Sequence, residues 1–364
     1  MFEKNHYVPI LKWKKGEQGA IEELDPDIKN GLTPLIEVPP IDWDYENEQP
    51  KRTIDEHLEG IINSFKRTLG TERMLYLDML WIDPAERMVD GTHPLSHISD
   101  NARSQGVKIV PVTGTDRDPD YQREVKNALI NDRLGLCFRL TENDFEDLNK
   151  NIDELLRYFN TSPDNIDLLI DYKYVDPKDR TRTYLFLNGL LNNIPDILAW
   201  RNLILTATAI PEDLSGLGTN QVTKIERSEW VIWNKIVSNS SNLRRIPLFG
   251  DYGIANPQPF EGDPRIIQPS ANIRYTSGDS FIIFKGTNLK RNGYSQYHKL
   301  ARKVVEHKEF KGENYSAGDK YIKEVSERLT NPGNLTSWRE AGTSHHLTIT
   351  VNDLASLTYS SVSF

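Results

Sequence analysis

One pattern recurs along most of the chain: a short apolar run ends in polar residues, and an amphipathic segment with helical spacing follows it. Eight such runs occupy positions 6–12, 32–38, 74–80, 106–112, 135–140, 166–171, 202–208 and 246–251. Several of them, such as IDLLID at 166–171, are apolar on both faces, which is typical of parallel strands that are buried on both sides. Strands joined by crossover helices either close into a barrel or form an open doubly wound sheet, and eight units favour the barrel.

The segments between the runs support this interpretation. Thr53 with Glu56 three residues later is a capping-box signature for a helix, and apolar residues recur at helical spacing over 145–156. The first run is not followed by Gly-x-Gly-x-x-Gly, the main signal of a dinucleotide-binding sheet. We therefore expect an α/β fold of the (β/α)8 TIM-barrel type.

The pattern changes after the eighth run. Residues 270–286 predict a β-hairpin with Ser277-Gly278-Asp279 at its turn, inserted in the last strand-to-helix loop. A helix over 295–307 would then be the eighth barrel helix. We expect a barrel unit over 1–309, including the insertion, and an appendage over 310–364 that packs on the barrel and covers its C-terminal mouth.

Composition restricts the setting. The net charge of −9 makes nonspecific nucleic-acid binding an unfavourable hypothesis, because neutralising phosphates requires a basic face. Cys137 is the only cysteine, so neither an internal disulfide nor a thiolate zinc cluster can form, and a reducing compartment is expected. The start of the chain lacks the layout of a signal peptide, and no stretch is long and apolar enough for a membrane helix. These features indicate a cytoplasmic protein that does not associate with a membrane.

In such barrels the active site forms at the C-terminal ends of the strands. The charged and polar residues at or just past the run ends are four acids (Glu37, Asp78, Asp171 and Asp251), three cationic residues (Lys12, Lys14 and Arg139), Tyr252, and the threonines Thr113, Thr206 and Thr208. Converging carboxylates could bind a hard divalent cation such as Mg²⁺, or two of them could form an acid/base pair. Arg139 would bind a carboxylate or phosphate of a substrate, or pair with a neighbouring acid such as Asp171.

A second group of chemically active residues lies near the C-terminus. His345 and His346 are adjacent, so on a strand or extended loop they would point in opposite directions and at most one would face the site. That ring would serve as an acid, a base or a metal ligand; the alternative is a histidine packed between Trp338 and the barrel rim. Arg339 would hold an anion or stack on an aromatic ring.

Two end segments carry a family resemblance. The text YVPILKWKKGEQGAIEEL at 7–24, with TPLIEVPP at 33–40, and the text NPGNLTSWREAGTSHHLT at 331–348 resemble the phage beta protein family, which also occurs in bacterial genomes. The resemblance singles out positions in both segments: Lys12, Glu17, Glu37, Trp338, Arg339, His345 and His346. It implies a role in the conflict between phage and host, and no particular reaction.

Two classes of function follow from these residues. The first is an enzyme that acts on an anionic, phosphate-bearing substrate, such as a nucleotide or a nucleic-acid end, by hydrolysis or lyase chemistry with acid/base groups or a metal. The second is a non-enzymatic binding protein or scaffold subunit of a defence-related assembly, with a protein partner. Fold alone does not separate the two, because barrels support many unrelated functions. The arrangement of the strand-end acids discriminates between them.

Overall fold

The computed structural model describes residues 1–240, 243–259, 262–263 and 265–357. Its strands are β1 (Tyr7–Lys12), β2 (Leu35–Glu37), β3 (Trp43–Asp44), β4 (Gln49–Pro50), β5 (Met74–Asp78), β6 (Lys108–Thr113), β7 (Leu136–Leu140), β8 (Ile166–Tyr174), β9 (Asn202–Thr208), β10 (Val222–Glu226), β11 (Leu248–Asp251), β12 (Ser270–Ser277) and β13 (Ser280–Asn288). Eight of these strands, one from each of the eight apolar runs, are parallel and close into a barrel in the order β1-β2-β5-β6-β7-β8-β9-β11. The predicted (β/α)8 fold is confirmed.

The helices follow the barrel strands and then continue beyond the barrel. They are α1 (Lys15–Glu22), α2 (Pro26–Asn30), α3 (Ile54–Leu58), α4 (Ile61–Leu69), α5 (Pro94–Ser104), α6 (Pro119–Asp132), α7 (Leu148–Phe159), α8 (Arg180–Asn192), α9 (Ser228–Ser238), α10 (Leu289–Asn292), α11 (Gln296–Val305), α12 (Ala317–Ser326) and α13 (Leu335–Ser356). The capping box expected at Thr53 is present, since its side chain accepts from the Glu56 amide and its own amide donates to the Glu56 carboxylate. Within the described part of the chain, none of the helices combines the length and the apolar character that crossing a bilayer demands.

Strand alternation separates two cores. Inward-facing residues such as Val8, Ile10 and Leu35 fill the barrel interior. Outward-facing residues such as Tyr7 and Phe249 pack under the helices. Because side chains alternate along a strand, the inward face of β1 continues to Lys12 and the inward face of β2 to Glu37. The register then pairs Lys12 with Glu37 and Glu37 with Asp78 across β1, β2 and β5, so their charged groups enter the mouth at one level.

The hairpin predicted over 270–286 is confirmed as β12 and β13. A third strand, β10, leaves the loop after β9 and pairs antiparallel with β13. Residues of this sheet, such as Ile273 and Phe284, share a second core with α11, α12 and Trp338. The sheet and the helices that follow it therefore form one layer on the barrel.

The eighth helical position of the barrel differs from the expectation. The helix over 295–307 forms as α11, but it packs on β12, β13 and α12. The position beside β1, α1 and α2 is taken by α13, whose Leu347, Val351 and Leu354 join the outer core of the barrel. Since α13 lies between the barrel and the three-stranded sheet, it is buried on more than one side and lacks the single apolar stripe that marks a surface helix.

The segment after residue 309 thus contributes to both cores. Its α12 packs with α11 in the second core, whereas the C-terminal part of α13 completes the outer layer of the barrel. The boundary at 309/310 stays a prediction of the sequence, and the described residues on its two sides are packed against one another.

A close helix contact fixes α13 in place and provides a stability test. A Cβ at Gly318 in α12 would collide with the backbone carbonyl oxygen of Ala341 in α13. We expect Gly318→Ala to lower the free energy of unfolding by about 1–3 kcal/mol, because the two helices must separate. Gly189→Ala is the matched control, because its Cβ meets no neighbour within 4 Å and removing a helical glycine should stabilise by about 0.5–1 kcal/mol. Equal midpoints of chemical denaturation for the two variants would show that α13 is not held by this contact.

Candidate functional site

The centre of the barrel mouth is occupied by Arg139, which projects inward from β7 and is only 3% exposed. We call the group formed by Arg139 with Glu37, Asp78, Asp171 and Tyr252 the axial network. The Nη1 atom of Arg139 donates to Glu37 Oε1 and to Asp78 Oδ2, at 2.8 Å each. Its Nε and Nη2 donate to Asp171 Oδ2 at 3.0 and 2.8 Å. Three strand-end acids from β2, β5 and β8 therefore converge on one guanidinium.

Further donors hold these carboxylates in place. Asp171 Oδ2 also accepts from Tyr252 OH at 2.6 Å, and its Oδ1 accepts from the backbone of Lys173 at 2.9 Å. Lys173 has a φ of 58°, in the left-handed region, where β8 bulges. Asp78 accepts from Arg117 Nη2 at 3.0 Å on both oxygens. Desolvation acts to lower the pKa of Arg139, but Tyr252 and the surrounding acids raise it well above its usual value, so the guanidinium stays charged.

This geometry bears on the expected metal and acid/base chemistry of the mouth. The guanidinium fills the position between Glu37, Asp78 and Asp171 that a hard cation would require. Across the described ranges, no group of three or more His, Cys, Asp or Glu side chains is arranged to hold a metal ion. The alternative pairing of Arg139 with Asp171, considered from the sequence, is the one that the structure contains.

Asp251 lies apart from the other three acids. It follows Phe249 on the outward face of β11, so its carboxylate points toward α13 and not into the barrel. Its Oδ2 lies 2.9 Å from His346 Nε2 and 3.8 Å from Arg227 Nη2, and its Oδ1 accepts from Tyr7 OH. All of these side chains are fully buried. The cluster therefore fastens α13 to the barrel wall.

The two histidines lie on a helix, not on the extended segment that we expected. Successive helical residues are about 100° apart, so both rings are buried but face different partners. His346 Nδ1 contacts Thr276 Oγ1 at 2.8 Å, and burial lowers its pKa. His345 contacts Asp319 Oδ2 at 2.8 Å and the Thr276 carbonyl at 2.7 Å, and it stacks on Tyr275. Each histidine therefore joins α13 to neighbouring elements.

Trp338 is buried in the second core. Its ring stacks on Tyr297 with centroids 4.6 Å apart, and its Nε1 donates to the Pro332 carbonyl at 2.8 Å. Arg339, the next residue, turns instead toward β1 and α1. The structure therefore separates two neighbouring residues that the family resemblance singled out together.

Arg339 borders a small cleft at the seam between the start and the end of the chain. We call it the seam cleft; its lining residues are Ile10, Leu11, Lys12, Glu17, Tyr252, Ile254, Ala255, Asn256, Arg339 and Thr343. Its empty volume, including the opening to solvent, is about 250 Å³. Tyr252 belongs both to the cleft and to the axial network. The cleft therefore reaches from the surface to the buried charges of the mouth.

The charged side chains of the seam cleft are only partly neutralised by oppositely charged neighbours. Lys12 Nζ donates to the carbonyl oxygens of Asn256 and Gln258, at 2.6 Å each. Desolvation lowers the pKa of Lys12 to about 8, although nearby Glu37 acts in the opposite direction. Arg339 Nε lies 3.6 Å from Glu17 Oε1, and burial raises the pKa of Glu17. Lys14, by contrast, is exposed at the start of α1.

Some buried charged residues of the site could not be recognised from their positions in the sequence. Arg117 lies in the loop after β6, four residues past the strand end, so a search of strand ends alone misses it. Its Nε and the Oε2 atom of Glu37 are buried without a hydrogen-bond partner. Arg227 precedes α9 and pairs with Asp251 only because the fold brings the two together.

One comparison with known proteins identifies a family. The family model described as Beta protein matches residues 7–352, nearly the whole chain. A search of curated proteins finds no match.

Similar solved structures include triosephosphate isomerase from Bartonella henselae (12% identity, TM-score 0.33, 67% of this chain and 91% of that one). A type I 3-dehydroquinate dehydratase from Clostridium difficile (12%, 0.39, 70% and 88%) is another. A third is the catalytic module of a family 98 glycoside hydrolase from Streptococcus pneumoniae (12%, 0.38, 68% and 46%). Likenesses this weak carry no argument about reaction or ligand.

The axial network makes a direct prediction about stability. Asp171→Asn removes the charge that three donors share and leaves Arg139 with fewer partners. We expect the free energy of unfolding to fall by about 3–5 kcal/mol, as when one partner of a buried ion pair is removed. Asp153→Asn, on the exposed face of α7, is the control and should change it by less than about 0.5 kcal/mol. If urea denaturation finds Asp171→Asn as stable as the control, the strand-end acids are not structural.

Proposed function

The chain belongs to the beta protein family, and from that premise and the geometry of its mouth we propose that it is an enzyme that binds a small anionic group in the seam cleft and acts on it by acid/base chemistry. The observation that carries this proposal is the pairing in one cleft of Lys12 and Glu17. Burial shifts the pKa of the lysine down to about 8 and that of the carboxyl up. Groups shifted toward neutrality in a cleft are typical of acid/base sites.

Each side chain has a distinct task in this proposal. Arg339 holds the anion, since a guanidinium binds phosphate and carboxylate in a bidentate manner. Lys12 adds a second positive charge when protonated and acts as a base when it is not. Glu17 orients Arg339 through their 3.6 Å ion pair and supplies or accepts a proton. The cleft is narrow and opens to solvent, so a nucleotide or nucleic-acid end would present only its terminal phosphate to Arg339 and Lys12.

The biological setting belongs to the same proposal. Family membership suggests a role in the conflict between phage and host, inside the cytoplasm. The substrate would then be a phosphate-bearing molecule of the infected cell, transformed by hydrolysis or by lyase chemistry.

The axial network favours a second candidate function. Each of its three acids forms an ion pair with Arg139, and Asp78 also pairs with Arg117, as in a rigid support. Under this alternative the barrel is a non-enzymatic scaffold for a protein partner, and the seam cleft binds no anion.

Sulfate binding separates the two candidates, since sulfate mimics a phosphate group and keeps its charge at all relevant pH values. By isothermal calorimetry we expect Arg339→Met and Lys12→Met each to weaken binding by about tenfold or more, the value of one charge-assisted hydrogen bond. Lys14→Met, an exposed neighbour, should leave it unchanged. Binding should also weaken as the pH rises through about 8, because Lys12 loses its charge there. Sulfate that binds equally to all three variants, or does not bind at all, contradicts the proposed function.

A further inference from the structure

We propose that the Lys12 amine is the reacting nucleophile of the seam cleft, and that the substrate is a small carbonyl compound bearing a carboxylate or phosphate, with which Lys12 forms an imine. This inference rests on the proposed function, because it assumes that an anionic group enters the cleft. It goes further by naming the reacting atom and the chemical class of the substrate.

The position of Lys12 suits a nucleophile. It ends β1 on the inward face, and its Nζ is held at 2.6 Å by two neutral carbonyl oxygens, those of Asn256 and Gln258. In the ranges that the structure describes, no carboxylate lies within salt-bridge distance of this atom. A lysine held by a carboxylate stays protonated, whereas one held by uncharged acceptors in a desolvated cleft gives up its proton more readily.

The amine of the half-buried Lys12 lies beside an apolar wall. The cleft walls next to Lys12 include the apolar side chains of Ile10, Leu11 and Ile254, all of which are buried. Desolvation is the main reason that the pKa of Lys12 falls to about 8. Roughly a tenth of the molecules therefore carry the free amine at neutral pH. This fraction falls tenfold for each unit by which the pKa of a lysine is higher. Desolvated lysines of this kind react with carbonyl substrates.

Arg339 lines the same cleft as Lys12 and is the binding partner for the anionic group of the substrate. Arg339 engages Glu17 through Nε and the Ile254 carbonyl through Nη1. Its Nη2 makes no hydrogen bond to any described residue, so it can bind an oxyanion. Because Lys12 and Arg339 line the same narrow cleft, the carbonyl carbon must lie close to the anionic group, which favours oxo acids and short phosphorylated aldehydes or ketones.

The step balances without any further reactant. The lone pair of the free Lys12 amine attacks the carbonyl carbon, and one of the two amine protons passes to the carbonyl oxygen to give a carbinolamine. Glu17 lines the same cleft and, since burial raises its pKa, it is a suitable donor of the proton with which the hydroxyl leaves as water when the C–O bond breaks. The last proton on the nitrogen then returns to the Glu17 carboxylate. The products are the imine and water, and nothing is oxidised or reduced.

Reductive trapping tests the inference on the full chain. Protein is incubated with glyoxylate and cyanoborohydride, and labelled peptides are located by mass spectrometry as carboxymethylated lysine. We expect Lys12 to be labelled at least about tenfold faster than the exposed Lys14, because desolvation lowers the pKa of Lys12 and Arg339 holds the carboxylate of glyoxylate in the same cleft. Lys12→Arg, which keeps the charge, should abolish the fast label, whereas Lys14→Arg should retain it. Equal labelling of Lys12 and Lys14 in the wild-type protein overturns the inference.

A second comparison separates this inference from the proposed function. Arg339→Met should slow labelling of Lys12 by glyoxylate to the rate seen with the neutral aldehyde propanal, and sulfate should protect Lys12 in the wild-type protein. Sulfate binding without preferential labelling of Lys12 would refute the imine and leave the anion site standing. Absence of both sulfate binding and labelling would refute the two together. Fast labelling that neither sulfate nor Arg339→Met affects would refute the proposed anion recognition.

Discussion

The buried guanidinium of Arg139 is the interaction on which the architecture of the mouth depends. Barrel closure brings the carboxylates of Glu37, Asp78 and Asp171 to one level, where they would repel one another without a cation between them. Desolvating such charges is costly, and only near-ideal geometry with additional hydrogen bonds compensates for it. Tyr252 and Arg117 supply those hydrogen bonds. The centre of the mouth is therefore filled by Arg139 and the three acids. The charged side chains that a ligand can reach lie at the rim, in the seam cleft.

The helix α13 determines where on the rim that chemistry lies. By taking the eighth helical position, it brings the C-terminal segment against β1 and α1. Its His346 and His345 attach it to Asp251 and Asp319, and its Arg339 meets Glu17. The two end segments that carry the family resemblance thus form a single site. This contact gives a physical reason for the two segments to occur together, since neither completes the seam cleft alone.

The sequence predicted the barrel strands correctly, but it did not predict the position of the last helix. The apolar runs and their spacing predicted all eight barrel strands, and the turn at Ser277-Gly278-Asp279 predicted the hairpin, because these signals are local. The role of α13 was missed because a helix buried on several sides carries no one-sided stripe. The separation of Asp251 from the other acids could have been predicted from strand alternation, since it shares the outward face of Phe249. The seam cleft could not, because its residues meet only through tertiary packing.

The central claim is that the acids of the axial network are held by ion pairs to Arg139 within the barrel, and that an anion binds at the seam cleft instead. The most direct measurement is a crystal structure of the protein soaked in selenate, with the anion located by its anomalous scattering. The account predicts selenate between Lys12 and Arg339, with the hydrogen bonds of Arg139 to Glu37, Asp78 and Asp171 intact. Selenate on the barrel axis, bound by Arg139 with the three carboxylates released, would contradict it.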